Sequence, residues 1–115
     1  CVVANDEYAY VLGGYSSRSD AVKTVYRLCL KTQKWMIMAR MATARYYFAA
    51  VLKGNYIYVF GGCNNGQRSS TERYSIENNT WEQLPNMLKG PRHGHCAVST
   101  TGSEIYIVGG NSRSI

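Results

Sequence analysis

The sequence contains no long hydrophobic segment. Its apolar runs are short, and a typical one, Tyr56–Phe60, has the length of a β-strand. A membrane-spanning helix needs about 20 consecutive apolar residues. Residues 1–15 also lack the basic start and the apolar block of a secretory signal. These absences exclude a membrane-spanning class, and we predict no interaction with a membrane.

Proline and low-complexity tracts are equally scarce. The chain has 115 residues, of which 45% are hydrophobic, with 11 Gly and only 2 Pro. This composition excludes collagen-like and disordered chains. The length suits one ordinary domain. Because the first residue is Cys1 and not Met, we expect the natural N-terminus to be missing and the chain to be a fragment.

Metal-binding, disulfide and catalytic patterns are absent as well. The cysteines form no Cys-x-x-Cys pair, and neither histidine has zinc-finger spacing to them. No Gly-x-Ser-x-Gly sequence occurs, and no nucleophile has an identifiable base. We therefore expect no catalytic residues, no enzyme activity, no cofactor and no metal. We also expect free thiols in a reducing compartment and a cytoplasmic location. The four cysteines are Cys1, Cys29, Cys63 and Cys96.

Acidic residues are few and unevenly placed. The sequence has 13 Lys and Arg against 7 Asp and Glu, which gives a net charge of +6. After Asp20 the next acid is Glu72, and eight basic residues lie between them. Because a basic surface attracts acidic partners, we predict a protein or peptide partner of acidic character; the alternative is a basic surface that contacts only solvent. No block of consecutive Lys or Arg occurs, so we do not expect nucleic-acid binding.

What the sequence does contain is an internal repeat. A Gly-Gly pair follows an apolar run at Gly13, Gly61 and Gly109, with a period of 48 residues. Trp, Met and Arg recur in the same order at intervals of 46 or 47 residues. These pairs are Trp35 and Trp81, Met41 and Met87, and Arg45 and Arg92. Four marker types in one order, at nearly one period, indicate repeated structural units.

Each unit has the pattern of four short strands. Runs rich in aromatic and β-branched residues alternate with turn residues, and no stretch has sustained helical spacing. In the second unit we predict strands at residues 46–52, 56–60, 71–76 and 80–84. In the first unit we predict strands at residues 8–12, 24–30 and 34–38. A four-stranded antiparallel sheet repeated at this period is typical of a β-propeller blade, so the predicted fold class is all-β.

Neighbouring blades must stack, because a single sheet with apolar residues on both faces cannot bury both of them. We expect Trp35 and Trp81 to fill space between blades. We expect the Gly pairs to let the backbone bend and approach its neighbours closely. Both residue types are therefore predicted to serve the structure.

These features closely resemble kelch repeats. The kelch pattern is a hydrophobic run ending in Gly-Gly, an aromatic residue on the third strand, a Trp about seven residues later and an Arg before the next inner strand. The second unit matches it with residues 57–62, Glu72-Arg73-Tyr74, Asn79-Thr80-Trp81 and Pro91-Arg92-His93. The first unit departs from it, because Leu28 stands in place of Tyr74 and Ala44 in place of Pro91.

The resemblance implies a closed propeller, commonly of six blades. Six repeats of this period need roughly 290 residues, whereas the 115 residues hold about 2.4 repeats. We therefore predict an incomplete propeller with one blade at residues 1–41, a second at residues 42–87 and the first half of a third at residues 88–115. The alternative is a chain that closes a ring by self-association.

The resemblance also implies a partner-binding surface. In kelch proteins, loops between second and third strands, and segments that precede first strands, line a face that binds peptides. Arg offers forked donors for carboxylates, and Tyr offers contact area with a polar tip. The predicted partner-binding residues are Tyr15, Ser16, Arg18, Arg45, Tyr47, Asn64, Asn65, Arg68, Arg92 and His93. For Arg45 and Arg92 the alternative role is structural, in hydrogen bonds to loop carbonyls between blades.

The quoted motifs are most similar to the BTB-kelch group. Members of that group recruit substrates to cullin-based ubiquitin ligases, and some bind actin. The predicted function is therefore a protein–protein interaction module. Substrate recognition for a cullin-based ligase is implied by the resemblance alone, through domains outside this chain. The alternatives are an actin-binding scaffold, a purely structural scaffold, and part of a kelch-propeller enzyme of the oxidase or sugar-processing type.

Overall fold

The computed structural model describes residues 1–15, 21–46, 48–62, 70–86, 96–99 and 105–108. In these ranges the chain forms strands, turns and irregular segments, so the all-β prediction is confirmed. No helix in this part of the chain is long and apolar enough to cross a membrane.

Three antiparallel sheets contain the described strands. The first, blade 1, has the order β1-β2-β3-β4, with β1 Val2–Ala4, β2 Tyr8–Tyr15, β3 Ala21–Cys29 and β4 Trp35–Ile37. The second, blade 2, has the order β5-β6-β7-β8, with β5 Ala49–Lys53, β6 Tyr56–Phe60, β7 Thr71–Ser75 and β8 Thr80–Leu84. The last two strands, β9 Cys96–Ser99 and β10 Ile105–Val108, pair with each other.

The first strands of the three sheets lie side by side, since β5 contacts both β1 and β9. This arrangement is that of blades placed around a common axis, each with its first strand innermost. Two four-stranded blades and a two-stranded sheet form an incomplete propeller, which confirms that part of the prediction. The blade limits at residues 41 and 87 stay predictions.

The predicted strands of blade 2 match the observed ones closely, except at one end. The strands predicted at residues 56–60 and 80–84 have the observed bounds, and β7 ends one residue before the predicted end. The first strand begins at Ala49 and not at residue 46. The chain just before this stretch is held by blade 1, since the Arg45 amide donates to the Val22 carbonyl at 3.2 Å.

The strand predicted at residues 8–12 continues past the Gly pair. Gly13 has φ of +52°, and the pairing of β2 with β3 shifts register between Leu12 and Gly14. Such a shift is a β-bulge, which bends a strand without ending it. Pairing resumes and reaches Tyr15 opposite Ala21. The Gly pair therefore has the predicted role of a bend, but in blade 1 it does not terminate the strand.

The hydrophobic core lies between the two blades. Blade 1 contributes Tyr10, Leu12 and Val25, which are fully buried. Blade 2 contributes buried Ile57, Val59 and Tyr74 from β6 and β7. The Tyr10 and Tyr74 rings meet across the boundary with centroids 6.1 Å apart. Because side chains alternate along a strand, this contact uses only one face of each sheet.

The other face of blade 1 is exposed and apolar. Trp35 and Ile37 on β4 are 59% and 68% exposed, and Val2 on β1 is 62% exposed. The Trp35 side chain lies on the face turned away from blade 2, where the described strands place no neighbouring blade, so its role as a filler between blades stays a prediction. Its repeat mate Trp81 is half-buried and packs against the core, as predicted.

Gly62 is placed where a side chain has no room. Its φ is +91°, and a Cβ atom there would lie 2.6 Å from the Tyr46 carbonyl oxygen and 2.8 Å from the Phe48 Cβ. Gly54, in the turn between β5 and β6, also has a positive φ of +61°, but a Cβ atom there would meet nothing within 4 Å. A side chain at Gly54 would therefore cause backbone strain alone, whereas a side chain at Gly62 would cause backbone strain and a steric clash.

We predict that Gly62→Ala destabilises the fold more than Gly54→Ala. The Gly54 variant loses about 1–2 kcal/mol from left-handed strain alone. The Gly62 variant carries the same kind of strain and must also displace backbone, so its loss exceeds about 3 kcal/mol. The measurement is the free energy of unfolding in denaturant. Equal losses in the two variants would contradict the close approach seen at Gly62.

Candidate partner-binding site

The strand register places several segment ends at one end of the two sheets. Ala49 pairs with Phe60, and Phe60 pairs with Thr71, so β5 begins where β6 ends and β7 begins. In blade 1, β2 ends and β3 begins where Tyr15 pairs with Ala21. The predicted partner-binding loops, residues 15–20 and 63–70, belong to the connections between these strands. We call this end of the sheets the loop end.

A connecting segment, residues 38–46, crosses from blade 1 to blade 2 at the loop end, and we call it the linker. Its backbone continues along β3, because the amides of Met38, Met41 and Arg45 donate to carbonyls of β3. The amides of Ala39, Ala42 and Thr43 and the side chain of Arg45 bond to blade 2. The linker is therefore held on both sides, which fixes the two blades against each other.

Arg45 is the most connected residue of the linker, and it is fully buried. Its Nη1 donates to the Gly61 carbonyl at 2.9 Å and to the Ser70 carbonyl at 3.0 Å. Its Nη2 donates to the Glu72 Oε2 at 2.8 Å and to the Ser70 Oγ at 3.2 Å. Gly61 and Ser70 flank residues 63–69. One guanidinium group therefore fastens both ends of the segment between β6 and β7.

Glu72 completes this arrangement from the start of β7. It is fully buried, and its carboxylate accepts the Ala42 amide at 2.7 Å and the Thr43 amide at 3.2 Å. A buried carboxylate is costly unless it is paired and hydrogen-bonded. Here it has one cation and two amides, so its charge is well satisfied. The Arg45–Glu72 pair thus links the linker to two strands of blade 2.

A second set of contacts holds the linker at Ala39. Asn79, in the turn before β8, accepts the Ala39 amide at its Oδ1 at 2.9 Å. The same oxygen accepts the Tyr74 hydroxyl at 2.6 Å. The Trp81 indole Nε1 donates to the Ala39 carbonyl at 2.8 Å. Both polar backbone groups of Ala39 are therefore satisfied by blade 2.

The environment of Tyr74 is distinctly apolar. Its ring lies 5.2 Å from the Trp81 ring, between centroids, and the residue is fully buried. Desolvation by this burial raises the pKa of Tyr74 to about 12. Tyr74 therefore stays protonated at neutral pH and acts as a hydrogen-bond donor to Asn79.

Of the predicted partner-binding residues, the structure describes the side chain of Arg45. Its contacts with the Gly61 and Ser70 carbonyls are those of the structural alternative, and it has no exposed surface. Tyr15 is the last residue of β2, and its side chain is outside the described part. The remaining residues also lie outside it, and their partner contacts stay predictions. They are Ser16, Arg18, Tyr47, Asn64, Asn65, Arg68, Arg92 and His93.

Sequence reasoning missed how the motif residues act together. Glu72 and Asn79 belong to the quoted kelch motifs, but nothing in the spacing showed that both bond to the linker about 30 to 40 residues earlier. One local signal exists for Asn79. It has φ of +52°, and Asn tolerates this left-handed conformation better than most residues do. Its repeat mate Gln33 has φ of +59° in the equivalent turn.

The described side chains offer little for metal or redox chemistry. Within these ranges no group of three or more His, Cys, Asp or Glu could hold a metal ion. Cys1 and Cys29 are free thiols. Hydrogen bonds from Thr32 lower the pKa of the Cys29 thiol, which lies at the end of β3.

The repeated blades and the linker between them define a β-propeller repeat protein. Comparison with known proteins identifies the kind of repeat, because the KLHDC2/KLHL20/DRC7 Kelch-repeats domain matches residues 1–115. The chain belongs to the kelch-repeat family.

Several curated proteins are similar to this chain. It is 33% identical over 110 residues to an F-box/kelch-repeat protein of Arabidopsis thaliana, which covers 90% of the chain and 26% of that protein. It is 36% identical over 106 residues to Kelch-like protein 38 of Homo sapiens, covering 88% of the chain and 18% of that protein. A RING finger domain and kelch repeat-containing protein of Dictyostelium discoideum is 37% identical over 111 residues, covering 93% and 11%. The chain thus spans about a quarter or less of these relatives.

The linker contacts predict different roles for the two tryptophans. Trp81→Phe removes the donor to the Ala39 carbonyl and is expected to cost about 1–2 kcal/mol of unfolding free energy. Trp35→Phe changes an exposed side chain with no hydrogen-bond partner in the described residues, so we expect little change. Both are measured by chemical denaturation. Equal losses of unfolding free energy in the two variants would contradict this difference, because they would indicate that the Trp35 side chain is also packed and hydrogen-bonded.

The two ion pairs of the described residues are also predicted to differ. Arg45→Ala leaves Glu72 buried without its cation and is expected to cost about 3–5 kcal/mol of unfolding free energy. The matched control is Arg73→Ala, which breaks the pair with Glu82 at 2.7 Å, where the side chains are 29% and 58% exposed. Solvent screens that pair, so the loss is small. Comparable losses in the two variants would contradict a structural role for the buried pair.

Proposed function

We propose that this chain is part of a propeller that binds a protein or peptide through its loop end. The observation that carries the proposal is the fastening of residues 63–69 by Arg45, which bonds to Gly61 before the segment and to Ser70 after it. A loop whose ends are fixed loses less entropy when it binds a partner. A buried ion pair beside Gly61 and Ser70 supports a binding role for the segment between them, because it holds both of its ends.

The residues proposed to contact the partner are the predicted polar and aromatic ones. Asn64, Asn65 and Arg68 lie in the segment that Arg45 fastens, and Ser16 and Arg18 lie in the corresponding segment of blade 1. Arg and Asn supply hydrogen bonds, and Tyr supplies contact area. Tyr15, Tyr47, Arg92 and His93 complete the proposed set. Arg45 is assigned to positioning the loop and not to direct contact.

We further propose that the partner is acidic. The exposed or half-buried charges of blade 1 and the linker are mostly basic, with Lys23, Arg27, Lys31, Lys34 and Arg40 against Asp6 and Glu7. A surface of one sign speeds the approach of a partner of the opposite sign and rejects like-charged partners. The charge distribution therefore supports an acidic protein or peptide.

A role in substrate recognition for a cullin-based ubiquitin ligase, in the cytoplasm, is proposed from the kinship with Kelch-like proteins. The names of other relatives join kelch repeats to an F-box or to a RING finger domain. The repeats are the part these proteins share with this chain. This pattern favours recognition as the role of the repeats, with any link to a ligase supplied by domains outside the chain.

The proposal is tested by affinity capture from cell extract with a loop variant, Asn64→Ala/Asn65→Ala/Arg68→Ala. We expect proteins captured by the unmodified protein to be lost, because the contact residues are removed while the fold is kept. The captured proteins are compared by quantitative mass spectrometry, and thermal unfolding checks the fold.

The matched control is Glu77→Ala/Asn78→Ala, which changes exposed residues of the turn between β7 and β8, at the opposite end of blade 2. We expect this variant to capture the same proteins as the unmodified protein. If the loop variant also retains every captured protein, the loop end is not the binding surface.

A further inference from the structure

An open groove of about 490 Å³ lies on blade 1, between the start of β3 and the linker. One wall is formed by residues 22–24, and the other by Arg40 and residues 42–44. Arg45, the predicted partner-binding residue whose side chain the structure describes, is not among these lining residues. The described lining of the groove therefore comes from β3 and the linker, near the loop end.

The groove exists because the linker leaves β3 and returns to it. Backbone hydrogen bonds join Met41 to Lys23 at 2.9 Å and Arg45 to Val22 at 3.2 Å. Between these two bonds, the amides of Ala42 and Thr43 donate to Glu72 of blade 2 and not to β3. The linker is therefore bowed away from β3 over three residues. Both walls are held by backbone hydrogen bonds, so the groove is a fixed feature of the fold.

The groove is basic. Lys23 and Arg40 line it with exposed side chains, and none of the lining residues that the structure describes is acidic. Neither cation forms an ion pair with another residue of the described ranges, where the two pairs are Arg45–Glu72 and Arg73–Glu82. Glu72 lies behind the linker, but its charge is matched by Arg45. The positive charge of the groove is therefore available to a ligand.

Hydroxyl groups add to this polar lining. Thr24 and Thr43 line opposite walls and are half-buried. Neither hydroxyl has a hydrogen-bond partner among the residues that the structure describes. A Lys, an Arg and two hydroxyls are groups that bind carboxylates by charge-assisted and ordinary hydrogen bonds. Two cations on separate walls also match separate carboxylates of one extended chain.

We propose that this groove binds an acidic segment of a protein partner, with the carboxylates of Asp or Glu side chains at Lys23 and Arg40. The groove is a second proposed contact in addition to the loops. A variant of one surface is expected to leave binding at the other surface intact. A nucleic acid is a poorer fit, because its affinity depends on many phosphate contacts and the groove supplies two cations.

The test measures the binding of a fluorescein-labelled peptide of six glutamates by fluorescence anisotropy at low salt. The groove variant is Lys23→Glu/Arg40→Glu. The matched control, Lys31→Glu/Lys34→Glu, makes the same change in charge on exposed residues of the turn between β3 and β4, at the opposite end of blade 1. We expect the groove variant to bind about tenfold or more weakly, and the control to change by less than about twofold. Thermal unfolding checks the fold of both.

Each of the following outcomes would overturn the proposal. Equal weakening by the two variants would show that only the overall charge attracts the peptide. Equal binding of a six-glutamine peptide would show that the carboxylates are not recognised. Tighter binding of a single-stranded oligonucleotide, lost in the groove variant, would assign the groove to nucleic acid.

The loop variant Asn64→Ala/Asn65→Ala/Arg68→Ala separates this proposal from the proposed function. If it loses captured proteins but still binds the glutamate peptide, the two surfaces are independent, as proposed. If it loses the peptide while the groove variant retains it, the acidic site lies on the loops, and the groove proposal is wrong.

Discussion

The rest of the structure depends on satisfying the backbone of the linker. The chain must pass from the outer strand of blade 1 to the inner strand of blade 2 through a partly buried region, where each unpaired amide or carbonyl costs free energy. On one side of the linker, carbonyls of β3 accept three of its amides. On the other side, blade 2 bonds to the linker backbone. Asn79 and Trp81 bond to it near its start, and Glu72 accepts amides nearer its end. The linker backbone is thus paired on both sides only when the two blades are stacked against each other.

The same contacts explain why the surface features lie where they do. Glu72 can be buried only because Arg45 neutralises it, and Arg45 in turn reaches the two carbonyls that flank residues 63–69. The packing of Glu72 therefore also fixes the chain on either side of residues 63–69. Glu72 draws the amides of residues 42 and 43 toward blade 2, which opens the groove beside β3. Loop position and groove shape both follow from one buried carboxylate.

Much of the fold could be predicted from the sequence, because a repeat supplies its own comparison. The Gly-Gly and Trp spacing predicted the blades, and strand 56–60 was predicted to the residue. The errors occur where long-range contacts overrule local pattern. Residues 46–48 have the pattern of a strand, but β5 begins at Ala49, and the Arg45 amide just before them is bonded to blade 1. Arg45 was open between two roles, because spacing does not show whether an Arg is buried. The partners of Glu72 and Asn79 could not be predicted, since they join segments distant in sequence.

The two blades share a pattern, yet their equivalent faces are chemically different. In blade 2 the face that meets the linker carries Glu72 and Tyr74, which bond to it directly or through Asn79. In blade 1, Tyr26 stands at the position of Glu72 and supplies no carboxylate there. Leu28 stands at the position of Tyr74 and supplies no hydroxyl there. Gln33 keeps the left-handed turn, and Trp35 keeps the indole. A segment packed on this face would therefore find the indole donor but no buried anion for its amides. The shape of the blade is repeated, whereas the polar contacts that hold a linker are particular to blade 2.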